Sequence, residues 1–215
     1  MADMQALREA IIKGRRAEVP GLVQAALDEG ANPQTLINGH MIEAMKEVGR
    51  RFEQKQIFVP EMMIAARAMQ AGLEVLKPLL EQAGQAALSL GTVVMGTVFG
   101  DLHDIGKNLV ILMLESSGFK VVNLGENVPA AGFVEAARQH QAQLVGLSSL
   151  LTTGDPYVKA TVAAIKQSEL AGQVKILCGG AALTPRFVLE ECGADGYAPD
   201  AVAAVRLAKE LLGLA

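Results

Sequence analysis

The sequence is poor in aromatic residues and has no tryptophan, since Phe, Tyr and Trp together make up 4% of its 215 residues. Hydrophobic residues still amount to 51%, which indicates a packed, helix-rich globular chain rather than disorder. No apolar run approaches the roughly 18 residues needed to cross a bilayer, so no membrane partner is expected. The amino-terminal residues are typical of an amphipathic helix rather than a signal peptide, and the expected location is therefore cytoplasmic.

Positive charge and cysteine are also scarce. The chain has 19 Lys and Arg against 23 Asp and Glu, a net charge of −4. Because nucleic-acid-binding domains present a basic patch, no nucleic acid partner is expected. Cys178 and Cys192 have no His or Cys neighbours at zinc spacing. We expect two buried free thiols and no disulfide.

The first ninety residues have helical periodicity and no convincing strand. Apolar residues recur at helical spacing over 22–27 and 36–48, and Pro60 can occupy the first turn of a further helix. Several helices joined by short turns predict a four-helix cap bundle over residues 1–88. The polar and small residues at 82–87 are the predicted linker, and 82–90 a predicted hinge.

After residue 90 the period changes. Short apolar runs alternate with helical patterns, at 92–99, 120–124, 144–150 and 174–178. This alternation predicts an α/β domain over residues 89–215, a flavodoxin-like (Rossmann-like) five-stranded parallel sheet. In open sheets of this kind, ligands bind beyond the carboxyl ends of the strands.

Polar residues and glycines cluster at three of these predicted strand ends. Gly-Asp-Leu-His-Asp-Ile-Gly-Lys-Asn (100–108) follows the first strand, Ser-Ser-Leu (148–150) the third and Gly-Gly (179–180) the fourth. His103, two residues after Asp101, can present one ring nitrogen to a metal while the carboxylate holds the other nitrogen. An isolated histidine of this kind is more often an exposed loop residue. His40 and His140, in helical patterns among polar neighbours, are interpreted as surface residues.

A phosphate-binding loop is disfavoured at the first cluster. Five residues rather than four separate Gly100 from Gly106, and Asn108 replaces the hydroxyl residue that binds magnesium.

The three clusters, in this order and separated by 41 and 28 residues, resemble those of cobalamin-binding domains of the methionine synthase and corrinoid methyltransferase type. That family carries the signature D-x-H-x-x-G. The resemblance implies cobalamin bound base-off, with its benzimidazole tail displaced and His103 as the lower cobalt ligand. It implies these cofactor-binding residues: Gly100, Asp101, Leu102, His103, Asp104, Gly106, Ser148, Leu150, Thr152, Gly179 and Gly180.

Each piece has a chemical rationale under that resemblance. Gly179 and Gly180 lack a Cβ and would let the backbone approach the nucleotide tail, while Gly106 would free the turn into the next helix. The hydroxyls of Ser148 and Thr152 would bond the tail or neighbouring backbone. One position departs from the family, because methionine synthase has a serine where this chain has Gly154. That serine extends the hydrogen-bond chain from the aspartate, so the route by which protons reach Asp101 is left open.

The helical half carries a resemblance of its own. The segment 52–63 is similar to the one in corrinoid proteins that leads into the helix covering the cofactor. This similarity makes Phe58 the candidate for contact with the upper face of cobalt. Met62, Met63 and Met69 are further candidates, although methionines at helical spacing are more often core.

The family implies a corrinoid protein that carries a methyl group and does no catalysis alone. Its expected partners are a substrate:corrinoid methyltransferase, a second methyltransferase with a thiol or tetrahydrofolate acceptor, and a reductive activating protein. The cobalt would cycle between Co(I) and methyl-Co(III), with His103 ligating in the methylated state. The donor could be methanol, a methylamine or a methoxy compound.

Three alternatives remain. A cobalamin-dependent mutase subunit uses the same lower-ligand motif but lacks a helical cap. A cobalamin-dependent sensor or regulator has a cap but needs a DNA-binding segment. A receiver or flavodoxin-like module without corrinoid would leave the serines and the double glycine unexplained.

Overall fold

The computed structural model describes residues 3–82 and 89–214, and the chain divides into two compact units. A helical unit comprises Met1–Ser89 with Ser116–Gly118, and an α/β unit comprises Leu90–Glu115 with Phe119–Ala215. Of the predicted linker (82–87) and hinge (82–90), residues 83–88 lie outside the described residues.

Capping residues and prolines define where the helices of the first unit begin. The Asp3 carboxylate accepts the N–H of Ala6 at 2.9 Å, and Asn32 caps the helix that Pro33 opens. Pro60 is the second residue of the longest helix, where its missing N–H has little cost. The elements are α1 (Met4–Ile12), α2 (Val19–Asp28), α3 (Pro33–Leu36), a π-helical segment (Ile37–Met41), α4 (Ile42–Glu53) and α5 (Val59–Gln82).

The apolar faces of these helices form the core of the helical unit. Its largest fully buried side chains are Leu7, Ile11, Leu36, Met41, Met62, Met69 and Leu76. A Cβ at Gly72 would lie 2.6 Å from Met41 Cε and 2.8 Å from Val19 Cγ1, so glycine there lets α5 pack closely on its neighbours. Met62 and Met69 are 0% exposed. They are therefore core residues, as is usual for methionines at helical spacing.

His40, interpreted from the sequence as a surface residue, is instead partly buried. Its Nδ1 accepts the Nε–H of Arg8 at 3.2 Å, and the same guanidinium donates to the carbonyl of Gly39 at 2.6 Å. Arg8 of α1 thereby bonds a carbonyl within the π-helical segment. Burial, with a smaller contribution from Arg8, lowers the pKa of His40.

The α/β unit contains a five-stranded parallel sheet in the order β2-β1-β3-β4-β5. The strands are β1 (Thr92–Thr97), β2 (Lys120–Asn123), β3 (Leu144–Ser148), β4 (Lys175–Gly179) and β5 (Gly196–Ala198). The predicted fold class is confirmed, and four of the strands lie on the predicted apolar runs. The fifth was expected without a position, because its three residues form no apolar run of their own.

Helices cover both faces of this sheet, as its parallel order requires. They are α6 (Ile105–Glu115), α7 (Ala130–Gln139), α8 (Asp155–Gln167) and α9 (Ala201–Leu211). Helices α7 and α8 pack together around Phe133, while α6 and α9 pack together on the opposite face. All five strands end at one edge, where the loops that carry the predicted site residues lie.

The two cysteines are free, and the structure distinguishes them. Cys178 in β4 is fully buried, and burial raises the pKa of its thiol, whereas Cys192 is only partly buried. The prediction of a buried thiol is therefore correct for Cys178 alone. Among the described residues, no helix is long and apolar enough to cross a membrane.

Candidate functional site

Asp101 and His103 form a hydrogen-bonded pair in the loop that follows β1. His103 Nδ1 lies 2.7 Å from Asp101 Oδ1, and the backbone N–H of His103 donates to the same oxygen at 2.9 Å. An ionised carboxylate can only accept, so in the neutral imidazole Nδ1 carries the proton and Nε2 keeps its lone pair. The carboxylate side chain is 0% exposed whereas the imidazole is 51% exposed. The pair therefore presents an oriented Nε2 at the carboxyl ends of the strands.

The second oxygen of Asp101 is held by residues that follow β3. Leu150 N–H donates to Oδ2 at 2.6 Å, and the hydroxyl of Ser149 lies 3.3 Å from it. Burial raises the pKa of Asp101, but the hydrogen bonds from His103, Leu150 and Ser149 outweigh burial and lower it overall. The lowered pKa of Asp101 favours the ionised carboxylate, which is the form that accepts Nδ1–H.

The loop that contains the pair is braced by the loop that follows β2. Asn127 accepts the N–H of Gly100 at 2.8 Å through its side chain and donates its own N–H to the carbonyl of Asp101 at 3.0 Å. The buried hydroxyl of Thr97 donates to the carbonyl of His103 at 3.1 Å. Gly100 has φ +77°, a conformation that favours glycine.

Lys107 is a buried residue of this region that sequence reasoning missed. It lies in the first turn of α6, is 2% exposed, and its Nζ donates to Asn123 Oδ1 at 2.8 Å. The same amide oxygen accepts Gly125 N–H at 2.9 Å. Burial lowers the pKa of Lys107 against the opposing effect of Asp104 and Glu126. Sequence reasoning examined Lys107 only as part of a phosphate loop, where a buried structural role leaves no signal.

Large apolar side chains are exposed in the same loops. Leu102 is 64% and Ile105 86% exposed beside His103, and Leu150 and Leu151 are 42% and 40% exposed after β3. Exposed apolar residues concentrated in neighbouring loops are typical of a binding surface. Asp104, beside His103, accepts the side-chain amide of Asn108 at 2.7 Å.

The glycines do not all have the predicted role. A Cβ at Gly180, where φ is +134°, would overlap the carbonyl oxygen of Ser149, and one at Gly179 would lie 2.7 Å from the carbonyl oxygen of Ala198. Neighbouring protein backbone lies so close to positions 179 and 180 that both require glycine, whether or not a nucleotide binds beside them. Gly106 has open space around it and no positive φ, so the prediction that it frees the turn is wrong and Gly100 has that role.

Two predicted hydroxyls are not engaged by any residue that the structure describes. Ser148, at the end of β3, and the exposed Thr152 make no side-chain hydrogen bond with residues 3–82 and 89–214. Phe58 belongs to the helical unit, where its ring is 67% exposed just before α5. Its contact with a cofactor stays a prediction. The structure thus brings together the predicted residues of the α/β unit at one edge of the sheet.

Sequence models of the B12 binding domain match the chain twice, over residues 91–206 and over residues 4–77. The chain belongs to the B12-binding corrinoid proteins. It is 41% identical to a dimethylamine corrinoid protein of Methanosarcina barkeri over 209 residues, 97% of each chain. The resemblance found in the sequence is thereby confirmed, and the first of the two matches contains every predicted site residue of the α/β unit.

Solved structures with a similar fold include a cobalamin-binding protein and a methyltransferase complex. A cobalamin-binding protein from Desulfitobacterium hafniense superposes with a TM-score of 0.80 at 29% identity, covering 98% of this chain and 99% of that one. A methanol:cobalamin methyltransferase complex from Methanosarcina barkeri gives a TM-score of 0.84 at 32% identity, covering 96% of this chain and 78% of the other.

Proposed function

We propose that this corrinoid protein binds cobalamin base-off with His103 Nε2 as the lower cobalt ligand, and carries a methyl group between two methyltransferases. The observation that supports the ligand assignment is the half-exposed imidazole whose other nitrogen is bonded to a buried carboxylate. Bound cobalamin supplies a cobalt atom that accepts and releases the methyl group. The chain itself binds the cofactor, orients the ligand and excludes water.

The residues at the sheet edge are suited to such a cofactor. A neutral imidazole is a good ligand for first-row transition metals. The exposed Leu102, Ile105 and Leu150 can cover the apolar edge and face of a macrocycle, and burying them would favour binding by about 25 cal/mol per Å². The hydroxyls of Ser148 and Thr152, which no described residue engages, are available to the polar tail.

Asp101 controls the tautomer and the orientation of the His103 ring. By accepting Nδ1–H it selects the neutral tautomer with a lone pair on Nε2 and holds the ring in one orientation. Phe58, whose ring is 67% exposed, stays a proposed cofactor contact.

The proposed partners are a substrate:corrinoid methyltransferase, a second methyltransferase with a thiol or tetrahydrofolate acceptor, and a reductive activating protein. Two similarities support methyltransferase partners, namely the dimethylamine corrinoid protein and the chain solved within a methanol:cobalamin methyltransferase complex. Methylamines are the first donors to test because the relative named for dimethylamine matches nearly the whole chain at 41% identity. Methyl transfer onto the loaded protein, with each donor and a co-purified methyltransferase, tests the carrier role.

Electron paramagnetic resonance of the cob(II)alamin complex tests the ligand. The benzimidazole tail and a histidine both bind through nitrogen, so the protein is prepared with [15N]histidine while the cofactor keeps 14N. Ligation by histidine converts the triplet superhyperfine splitting into a doublet. We expect the doublet in the labelled wild type and its loss in His103→Ala.

His140→Ala is the matched control, because His140 is an exposed histidine at the end of α7, away from the sheet edge. That variant should keep the doublet. A triplet in the labelled wild-type protein would mean that the tail remains coordinated and would overturn the assignment. A doublet together with no methyl transfer from any donor would retain the ligand but contradict the carrier role.

A further inference from the structure

Ser149 contacts the Asp101 carboxylate from the interior of the α/β unit. The residue is 0% exposed, and its hydroxyl lies 3.3 Å from Asp101 Oδ2 and 3.2 Å from the carbonyl oxygen of Leu151. One hydroxyl proton serves these two acceptors, and the ionised acceptor is the stronger of the two. Ser149 is thus the one side chain, besides His103, that the described residues direct at this carboxylate.

The backbone of Ser149 is held on both sides, which fixes the Cβ that carries its hydroxyl. Its N–H donates to the carbonyl of Gly179 at 3.1 Å, and its own carbonyl occupies the space that a Cβ at Gly180 would need. The double glycine therefore lets the chain after β4 pack tightly against Ser149. This packing directs the hydroxyl toward Asp101.

The hydroxyl of Ser149 also excludes a side chain at position 154. A Cβ built on Gly154 would overlap Ser149 Oγ and lie 3.6 Å from Val98 Cγ2. Gly154 is buried and has φ −80°, which any residue adopts, so the requirement for glycine is one of space alone. Position 154 is where the resemblance to methionine synthase led us to expect a serine. A side chain can occupy this volume from 149 or from 154, and in this chain it comes from 149.

We propose that Ser149 is the positioning residue of the Asp101–His103 pair, supplying from position 149 the hydroxyl that the family pattern places at 154. The proposal rests on the proposed function for its consequence, since an ordered pair matters most if His103 is a ligand. By donating to Oδ2, together with Leu150 N–H, the hydroxyl holds the carboxylate so that Oδ1 faces His103 Nδ1. It acts on the imidazole through Asp101.

Proton exchange at His103 in the cofactor-free protein tests this directly. The downfield Nδ1–H resonance is assigned by its loss in His103→Ala, and its exchange with water is measured at one pH in each variant. For Ser149→Ala we expect exchange about fivefold faster, the effect of losing one net hydrogen bond. We expect the dissociation constant for cobalamin to rise about tenfold, while the Tm changes by only a few degrees. A purely structural role would change the Tm and leave this one proton protected.

The exchanged pair provides the matched variants. Gly154→Ser alone forces two side chains into one volume and should lower the Tm by about 3–10 °C. The double variant Ser149→Gly with Gly154→Ser returns one hydroxyl to that volume. It should recover proton exchange and cobalamin affinity to within about threefold of wild type, a reciprocal rescue that independent sites would not show.

Two results would overturn the proposal. One is exchange and affinity in Ser149→Ala within twofold of wild type. The other is a double variant no better than the sum of Ser149→Gly and Gly154→Ser, each measured alone. Because the exchange measurement needs no cobalamin, it distinguishes a failure of this inference from a failure of His103 as ligand, which the isotope-labelled resonance experiment reports separately.

Discussion

The carboxylate of Asp101 accepts the backbone N–H of Leu150 at 2.6 Å, across 49 positions of sequence. The pairing of β1 with β3 sets this contact, since Thr97 lies opposite Ser148 and each strand runs directly into its loop. The orientation of the carboxylate is therefore built into the register of the sheet. Because Asp101 Oδ1 is thereby directed at His103 Nδ1, the imidazole is oriented in the cofactor-free protein.

Substituting Asp101 by Asn should weaken cobalamin binding on the order of 10–100-fold. An amide has one accepting atom, so it cannot accept from both His103 Nδ1–H and Leu150 N–H. Titration of the cofactor-free protein with cobalamin, followed by absorbance, measures the loss. Asp195→Asn is the control. Asp195 also accepts a backbone N–H, from Ile176 at 2.8 Å, but it lies directly before β5, at the amino-terminal ends of the strands. Equal affinity of the two variants would contradict the role of Asp101.

Gly180→Ala should destabilise the cofactor-free α/β unit strongly. The added Cβ would overlap the carbonyl oxygen of Ser149, and φ is +134°. Overpacking typically costs about 1–3 kcal/mol and left-handed backbone about 1–2 kcal/mol more. Gly172→Ala is the control, because φ is +74° but nothing lies within 4 Å of its Cβ. In urea unfolding, the free energy of unfolding should be lower for Gly180→Ala than for Gly172→Ala by at least about 1 kcal/mol. Equal values for the two variants would mean that backbone contact is not what requires glycine at 180.

Substituting Lys107 by Met should change the free energy of unfolding by no more than about 1–2 kcal/mol. The apolar side chain keeps the packing of the lysine stem and removes the cost of burying a charge, and Asn123 still accepts from Gly125. Lys107→Ala leaves a cavity as well and should cost about 2–5 kcal/mol. Urea unfolding of both variants measures the difference. If Met proves as costly as Ala, the hydrogen bond to Asn123 contributes more than the packing.

Stability should depend on pH through His40. Because burial lowers the pKa of His40 in the folded chain, the unfolded chain binds a proton that the folded chain does not, below the ordinary histidine value of about 6.5. The contribution is fully present above that pH and is lost as the pH falls from 7 toward 5. His40→Gln removes the titration, so its free energy of unfolding should fall less over the same interval. If the free energy of unfolding falls equally with pH in the wild type and in His40→Gln, the prediction is contradicted.

The parts of the site that are local in sequence could be predicted without coordinates. Asp101 and His103 are two residues apart on one loop, so their spacing alone indicated the hydrogen bond that the structure contains. The contribution of Ser149 could not be predicted, because nothing in the spacing tells which of two adjacent serines turns inward. Sequence reasoning chose Ser148 and left Ser149 unassigned. The same limit applies to Lys107, whose burial depends on the loop after β2.

The order of apolar runs and breakers was enough to predict a helical half followed by a parallel sheet, because hydrophobic periodicity is a local property of the chain. It also located the histidine at a strand end. The tertiary structure decided which side chains fill the space behind that histidine. Ser149 excludes a side chain at 154, and Gly180 is required by the carbonyl of Ser149. These are contacts between segments far apart in sequence, and they depend on strand order and register, which periodicity does not encode.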